Sequence, residues 1–384
     1  MTRWITADLV FDGRMLHANL AIGIENGRIA ALKPADRMPR GPVPRTDRAP
    51  LSDHLRGIVA PGFVDLQVNG GAGLMVGPDT DADALRRICA AHRRLGCAGV
   101  LPTLITDRPE TTARLIDAAI RAEGTPGLLG LHLEGPHLDP RRAGAHDPAL
   151  IRPMTPEDLA MLCRAARDLP ALMVTLAPES VTPDQIHALS RAGAVVSLGH
   201  SDCSHEAAAQ AIAAGARCAT HLFNAMSQLG HRQPGLVGAV LSSDIHAGLI
   251  ADGVHVSVPA LRIALAARAQ GLFLVSDCMA VADTDATEFT LQSRRILRRD
   301  GRLTLADGTL AGADLRLDRA MQVAMQAGAS RERALAMATR IPADLIGAGH
   351  AAGRLDTGRG ADLVLLDHDL GLRATFDGQD WAAV

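Results

Sequence analysis

Residues 130–138, GLHLEGPHL, decide how the rest of the chain is interpreted. An apolar run reaches Leu133 and is followed by one carboxylate, Glu134, and then by the turn-forming pair Gly135-Pro136. This order predicts a buried strand with a charged side chain at its carboxyl end and a turn directly behind it.

The same order of an apolar run and one polar side chain recurs three times downstream. The residues that end these runs are His200, His221 and Asp277. Together with Glu134 they give four predicted strand ends, each with a side chain that can bind a metal ion. In a parallel barrel, the carboxyl ends of the strands meet at one face. The pattern therefore predicts a metal site at that face.

Short apolar runs alternate with amphipathic stretches from residue 58 onward. The predicted strands are 63–68, 99–104, 128–134, 172–176, 195–200, 218–221, 248–252 and 272–277. The predicted helices are 82–95, 110–122, 156–166, 183–192, 206–214, 259–269, 315–326 and 331–346. Eight strands separated by helices predict an α/β fold of the (β/α)8 TIM-type barrel class. A doubly wound open sheet is the alternative, but the sequence lacks the G-x-G-x-x-G motif that such sheets usually carry.

Both ends of the chain contain segments of strand character near hairpin signals such as Asn26-Gly27. Residues 34–55 are rich in Pro, Arg and Asp and are interpreted as an irregular connector. We expect residues 1–56 and 350–384 to pair into a small β-sandwich domain beside a barrel formed by residues 57–349.

The composition argues against several classes of protein. The 384 residues are 47% hydrophobic, enough for a large core, and a net charge of −3 favours neither nucleic acid nor a membrane surface as a partner. Six cysteines without CxxC spacing, and no signal peptide or long apolar run, predict a cytoplasmic protein. Aromatic residues make up 2% of the chain, which argues against a stacking platform for sugars or bases.

Glu134, His200 and His221 have the side-chain types of a site for one divalent ion with a position left open for water. A bound ion would lower the pKa of that water to about 7. Zinc suits this set, and so do iron, cobalt and manganese. The alternative is three unrelated polar residues at strand ends.

Two further residues are candidates for the chemistry. Asp277 can take a proton from the water and return it to a leaving group, or it can cap a following helix. His146 lies on the loop after Glu134 and can polarise a carbonyl group. The neighbouring Cys278 has no evident activating partner, so a thiol nucleophile is rejected.

Polar residues near three other strand ends are candidates for ligand binding. Asn224, Arg232 and His255 follow the sixth and seventh predicted strands, and arginine with nearby backbone N–H groups suits a phosphate. A solvated surface position is the alternative for Arg232. Gln67 and Asn69 follow the first strand, where they either hydrogen-bond a ligand or cap the turn.

Eight motifs in order carry a family resemblance. They are APGFVDLQVNG (60–70), HLEGPHL (132–138), RAGAHDP (142–148), SLGHS (197–201), THLFNAM (220–226), ADGVH (251–255), LVSD (274–277) and LAGADL (310–315). Through these motifs the sequence resembles the N-acetylglucosamine-6-phosphate deacetylases of the amidohydrolase superfamily over nearly its whole length. The resemblance implies metal-dependent hydrolysis of the acetamide of N-acetylglucosamine 6-phosphate. The alternatives are N-acetylgalactosamine 6-phosphate, a cyclic amide, or a scaffold without activity.

The resemblance also implies roles for single residues. Glu134, His200 and His221 would hold the metal. Asp277 would be the general base and then the general acid, and His146 would contact the acetyl carbonyl.

A second group of residues would bind the amino-sugar phosphate. The resemblance assigns the phosphate to Asn224, Ala225, Arg232 and His255, and the sugar pocket to Ala145, Leu310, Ala311 and Gly312. It also implies a homodimer in which Arg232 reaches the site of the partner subunit.

The first strand departs from the wider superfamily. Many members carry His-x-His there, which supplies a second metal site, whereas this chain has Gln67-x-Asn69. The resemblance therefore implies one metal ion per subunit.

Overall fold

Eight parallel strands form the central sheet of the computed structural model, which describes residues 2–37, 54–292 and 294–384. These strands are Phe63–Val68, Cys97–Ile105, Leu131–Glu134, Leu172–Leu176, Val195–Leu198, Cys218–Ala219, His246–Leu249 and Leu272–Leu274. Their order in space follows the chain. The first and last strands of this sheet meet where the Asp277 amide donates to the Gln67 carbonyl oxygen over 3.0 Å. Because the sheet closes in this way, the predicted (β/α)8 barrel is confirmed.

Helices connect and follow the barrel strands. The α-helices of the described residues are Ala82–Arg94, Pro109–Arg121, Pro156–Asp168, Pro183–Ala192, His205–Ala213, Gly235–Leu241, Val258–Ala267, Leu317–Gln326, Arg331–Ala338 and Arg340–Leu345. Short 3-10 turns span Ala35–Arg37, Pro140–Arg142, Pro148–Leu150 and Ala348–His350. Thr155 and Thr182 each start a helix with a capping box and a following proline, which explains why these helices begin where predicted. No helix within the described ranges is long and apolar enough to cross a membrane.

The helices differ from the prediction at two places. The helix Gly235–Leu241 was not predicted, because it is short and apolar throughout and therefore lacks helical periodicity. The single helix predicted over 331–346 is two helices, since the backbone of Thr339 leaves the helical region at φ −131° and ψ −85°.

Both ends of the chain build a second sheet of eight strands. These strands are Arg3–Phe11, Leu16–His17, Ala21–Glu25, Arg28–Lys33, His54–Pro61, Asp362–Leu366, Leu372–Asp377 and Trp381–Ala383. The strand His54–Pro61 pairs with Arg3–Phe11 on one side and with Asp362–Leu366 on the other. The expected β domain from both termini is thereby confirmed. Its boundaries at residues 56 and 350 stay a prediction, and residues 38–53 of the predicted connector lie outside the described residues.

A third sheet, which the sequence analysis missed, precedes the helix Leu317–Gln326. Its antiparallel strands are Glu288–Leu291, Arg294–Arg299, Arg302–Thr304 and Leu310–Ala313. The Ala313 amide donates to the Asp277 carbonyl oxygen over 2.9 Å, so this sheet lies against the carboxyl end of the barrel. The short hairpin of Gly70–Gly71 and Leu74–Met75 follows the first barrel strand.

Candidate active site

Three of the four predicted strand-end residues lie beyond the strands that carry them. His200, His221 and Asp277 follow strands that end two or three residues earlier, and their φ angles are 47°, 29° and 49°. Only Glu134 is the last residue of its strand. The predicted strand ends at 200, 221 and 277 were wrong because the strands end earlier, although the side chains reach one site. A positive φ is unfavourable for residues other than glycine and is concentrated at functional sites in proteins.

Glu134, His200 and His221 converge at the carboxyl end of the barrel, where all three are buried. Oε1 of Glu134 lies 3.0 Å from Nε2 of His221 and 3.3 Å from Nε2 of His200. The two imidazole nitrogens are 3.1 Å apart. One potential ligand atom from each side chain lies within 4.8 Å of the others, so the predicted metal ligands form a set that can hold one ion.

The bonding of His200 tests whether this set fits a metal ion. Its Nδ1 lies 2.8 Å from the carbonyl oxygen of Arg142, which can only accept a hydrogen bond, so Nδ1 carries the proton. Nε2 is then the ring atom that faces the site, and it lies 3.3 Å from Oε1 of Glu134. A backbone carbonyl that holds Nδ1 in this way is a common support of a metal-binding histidine, so the arrangement fits a metal ion.

The side-chain amides of the first strand hold the two carboxylates of the site. Nε2 of Gln67 donates to Oε1 of Glu134 over 3.0 Å, and Nδ2 of Asn69 donates to Oδ1 of Asp277 over 2.8 Å. The sequence analysis weighed a ligand contact against a turn cap for these amides. The structure shows that both orient a carboxylate.

Asp277 is a buried carboxyl group with a shifted proton affinity. Burial, followed by the negative charge of Glu134, raises the pKa of Asp277 to about 6. It does not cap a helix, because the next helix begins at Leu317. A carboxyl group with a pKa near neutrality can accept a proton and return it.

His146 is held in one tautomer by Thr106. The amide of Thr106 donates to Nδ1 of His146 over 3.2 Å, so Nδ1 is the acceptor and Nε2 carries the proton. That Nε2 lies 3.8 Å from Oε2 of Glu134, and the His146 ring packs edge-on against His200 with centroids 4.3 Å apart. Burial holds the pKa of His146 well below its usual value, so the ring is a neutral donor. The sequence analysis missed Thr106, although it directly follows the strand that ends at Ile105.

The residues predicted to bind the phosphate lie on the loops beyond the sixth and seventh strands. The Asn224 amide donates to the His221 carbonyl oxygen over 2.9 Å, and Ala225 has a φ of 49°. Nδ1 of His255 lies 2.6 Å from Oδ2 of Asp252, an acidic partner that the sequence analysis did not identify. Arg232 is exposed, and among the described residues its side chain has no hydrogen-bond or ion-pair partner.

Two of the residues predicted to line the sugar pocket are close to the candidate catalytic residues. Ala145 immediately precedes His146. Leu310, Ala311 and Gly312 lie in the last strand of the third sheet, where a Cβ on Gly312 would come within 2.9 Å of the Asp277 carbonyl oxygen. Gly312 also has a φ of 67°, so both the space and the backbone favour glycine.

A (β/α)8 barrel with a glutamate and two histidines at the carboxyl ends of its strands is typical of barrel hydrolases that act with a metal ion. Residues 58–381 match the Amidohydrolase family, and the chain belongs to this family.

Curated relatives are similar to most of the chain. It is 40% identical over 318 residues to the N-acetylgalactosamine-6-phosphate deacetylase of Shewanella sp. (strain ANA-3), with 82% of this chain and 80% of the relative covered. It is 38% identical over 336 residues to the N-acetylglucosamine-6-phosphate deacetylase of Homo sapiens, with 83% and 82% covered. Among solved structures, the N-acetylglucosamine-6-phosphate deacetylase of Pasteurella multocida superposes with a TM-score of 0.91 at 30% identity and full coverage of both chains. A Mycobacterium smegmatis variant in complex with N-acetyl-D-glucosamine-6-phosphate gives 0.88 at 31% identity, also with full coverage of both.

Proposed function

We propose that this protein hydrolyses the acetamide of N-acetylglucosamine 6-phosphate to glucosamine 6-phosphate and acetate. The observation that carries the proposal is the convergence of Glu134, His200 and His221 on one point, with Asp277 and His146 beside them. Relatives with this activity match more than four fifths of the chain, which supports the same substrate class.

Glu134, His200 and His221 would hold one divalent ion, with zinc expected and iron, cobalt or manganese as alternatives. When bound, such an ion acts as a Lewis acid and lowers the pKa of a water molecule. Gln67 and Asn69 already donate to the two carboxylates, which supports one ion per subunit.

Asp277 accepts a proton from the attacking water and then donates it to the departing amine nitrogen. Asn69 keeps the Asp277 carboxylate in place during both transfers. The Nε2–H group of His146 donates to the acetyl carbonyl oxygen and stabilises the developing negative charge. Removal of one such donor typically costs about 3 kcal/mol of transition-state stabilisation.

The sugar phosphate is bound by the backbone of Asn224 and Ala225, by His255 and by Arg232. Arg232 acts on the partner subunit of a homodimer, and its exposed guanidinium, which has no described partner in its own chain, is accessible for this role. The sugar itself lies against Ala145 and the segment Leu310, Ala311 and Gly312. Residues 57–349 form the catalytic domain, residues 1–56 and 350–384 form the small domain, and the protein acts in the cytoplasm.

The test measures release of glucosamine 6-phosphate and acetate by purified protein after chelation and after addition of zinc, iron, cobalt or manganese. Activity that is lost with the metal and restored by it supports the proposal. Folded, metal-loaded protein that releases neither product contradicts it.

N-acetylgalactosamine 6-phosphate is the second candidate substrate, and the 40% identical Shewanella relative favours it. The two sugars differ only in the configuration at C4, so a parallel assay compares the same chemistry. The higher kcat/KM identifies the preferred sugar.

A further inference from the structure

The hairpin formed by Glu288–Leu291 and Arg294–Arg299 reaches the loop that carries His146. Nε2 of Gln292 donates to the carbonyl oxygen of Thr106 over 3.4 Å. Next to it, the guanidinium of Arg294 donates to the carbonyl oxygen of Ala145. The hairpin therefore contacts the residue that holds the His146 ring and the residue that precedes it in the chain.

We propose that Arg294 is a positioning residue that holds the backbone of the His146 loop for the deacetylation reaction. The inference rests on the proposed function, because it concerns the group that would contact the acetyl carbonyl. Thr106 fixes the tautomer of the His146 ring, but the bond to the Ala145 carbonyl fixes where the backbone places that ring.

The loop around His146 is irregular, so contacts from outside it help to hold its backbone. The 3-10 turns Pro140–Arg142 and Pro148–Leu150 flank it, and no described helix or strand includes Ala145 or His146. The Ala145 side chain packs against the apolar cluster of the third sheet. A hydrogen bond from a charged donor is roughly twice as strong as one between neutral groups. The guanidinium of Arg294 can therefore hold the backbone of this irregular segment in place.

The third sheet also supports the other candidate catalytic residue. The amide of Ala313 donates to the Asp277 carbonyl oxygen over 2.9 Å, and Met279 packs in the same apolar cluster as Ala145. One sheet thus contacts the backbone on both sides of the reacting groups. It can set the distance between the Nε2–H of His146 and the carboxylate of Asp277.

Arg294→Met removes the donors and keeps most of the side-chain stem. We expect kcat to fall about 10- to 100-fold, because small misplacements of catalytic groups cost this much, while KM, metal content and melting temperature stay near wild type. Arg294→Lys keeps one donor and restores part of the rate. The matched control is Arg295→Met, because Arg295 is exposed and pairs with Glu288, and this variant should behave as wild type.

A double-mutant cycle with His146→Gln separates positioning from other roles. If Arg294 acts through His146, Arg294→Met has little further effect on kcat in the His146→Gln protein. An equal loss in both backgrounds, a change in KM alone, or no loss from Arg294→Met would overturn the inference.

Hydrogen exchange of residues 143–147 gives a second measurement that needs no substrate. The amides of this segment should exchange faster in the Arg294→Met protein than in the wild type or in Arg295→Met. Unchanged exchange overturns the inference whether or not the wild-type protein is active. Wild-type protein that lacks activity on both sugar phosphates, with faster exchange in Arg294→Met, contradicts the proposed function and leaves the loop support established.

Discussion

The side-chain amide of Asn69 donates a 2.8 Å hydrogen bond to Oδ1 of Asp277 at the point where the barrel closes. The Asp277 amide donates in turn to the Gln67 carbonyl oxygen over 3.0 Å. Backbone and side chain of Asp277 are thus both fixed by the first strand. Oδ2 of Asp277 makes no hydrogen bond within the described part of the chain and remains available for proton transfer.

Replacing Asp277 by asparagine tests its role as base and acid. Asparagine tolerates the positive φ of 49° at this position, so the fold and the metal site should persist. An amide cannot accept the proton of the attacking water, and kcat should fall by about 100- to 10,000-fold with little change in KM. Steady-state kinetics with metal analysis of the same samples measures this.

Asp283→Asn is the matched control for that variant. Asp283 also has a positive φ, of 59°, but it pairs with Arg94 outside the candidate site. Normal turnover is expected for the control. Near-normal turnover of Asp277→Asn would remove Asp277 from the mechanism.

Replacing Glu134 by glutamine tests the metal site without an activity assay. Glutamine has the same shape but lacks the negative charge that the two histidines surround. Loss of a group that only supports a metal ligand costs about 10- to 100-fold in affinity, and loss of a ligand should cost more. Elemental analysis after dialysis should therefore show a metal-depleted variant.

Glu179→Gln is the control for this loss of charge. Glu179 accepts a hydrogen bond of 2.8 Å from Oγ of Ser201, the residue after His200, and it is not among the three converging side chains. This variant should keep its metal. A Glu134→Gln protein that retains one ion per subunit would show that the site lies elsewhere.

The sequence revealed the parts of the fold that follow a clear pattern. The strands Phe63–Val68 and Leu172–Leu176 match their predicted bounds, because each is a short, mostly apolar run next to turn signals. The strand Arg294–Arg299 has the sequence RRILRR, in which four arginines conceal the alternation of a strand. The third sheet was therefore missed together with Arg294.

The same reasoning explains which parts of the site were found. Each of the metal-ligand candidates Glu134, His200 and His221 is a single polar residue after an apolar run. They could therefore be recognised from the sequence alone. Thr106 acts through a hydrogen bond to His146, which is distant in sequence. No local pattern predicts such partners.

Asp65 should make stability depend on pH. Oδ1 of Asp65 lies 3.2 Å from the amides of Gln67 and Ser276, and burial raises the pKa of Asp65 to about 7. An aspartate in the unfolded chain has a pKa of about 3.9. Between these values the folded protein keeps the Asp65 proton that the unfolded chain has lost, so the contribution of Asp65 to stability falls as pH rises, by up to ~1.4 kcal/mol per pH unit.

Asp65→Asn removes this titration and keeps an oxygen that can accept from both amides. Its free energy of unfolding should therefore increase relative to wild type as pH rises from about 5 to about 7, measured by urea unfolding at several pH values. Asp117→Asn, at an exposed position of the helix Pro109–Arg121, is the control and should follow the wild-type profile. Parallel profiles for wild type and Asp65→Asn would contradict the expected shift.

Arg232→Met should weaken binding of the phosphorylated substrate. A charge-assisted hydrogen bond contributes about 1.5–3 kcal/mol, so KM for N-acetylglucosamine 6-phosphate should rise by about 10- to 100-fold. The control is Arg262→Met, at an exposed position of the helix Val258–Ala267, which should leave KM unchanged. Light scattering of the purified protein establishes whether it is a dimer.

A hybrid dimer shows which subunit supplies Arg232. Co-expressed chains with two different tags allow isolation of dimers that combine one Asp277→Asn subunit with one Arg232→Met subunit. If Arg232 acts on the partner, the Arg232→Met subunit keeps its own Asp277 and receives an intact arginine, so activity with a wild-type KM returns in about half the sites. If Arg232 acts within its own chain, the only subunit with Asp277 still lacks the arginine, and KM stays high.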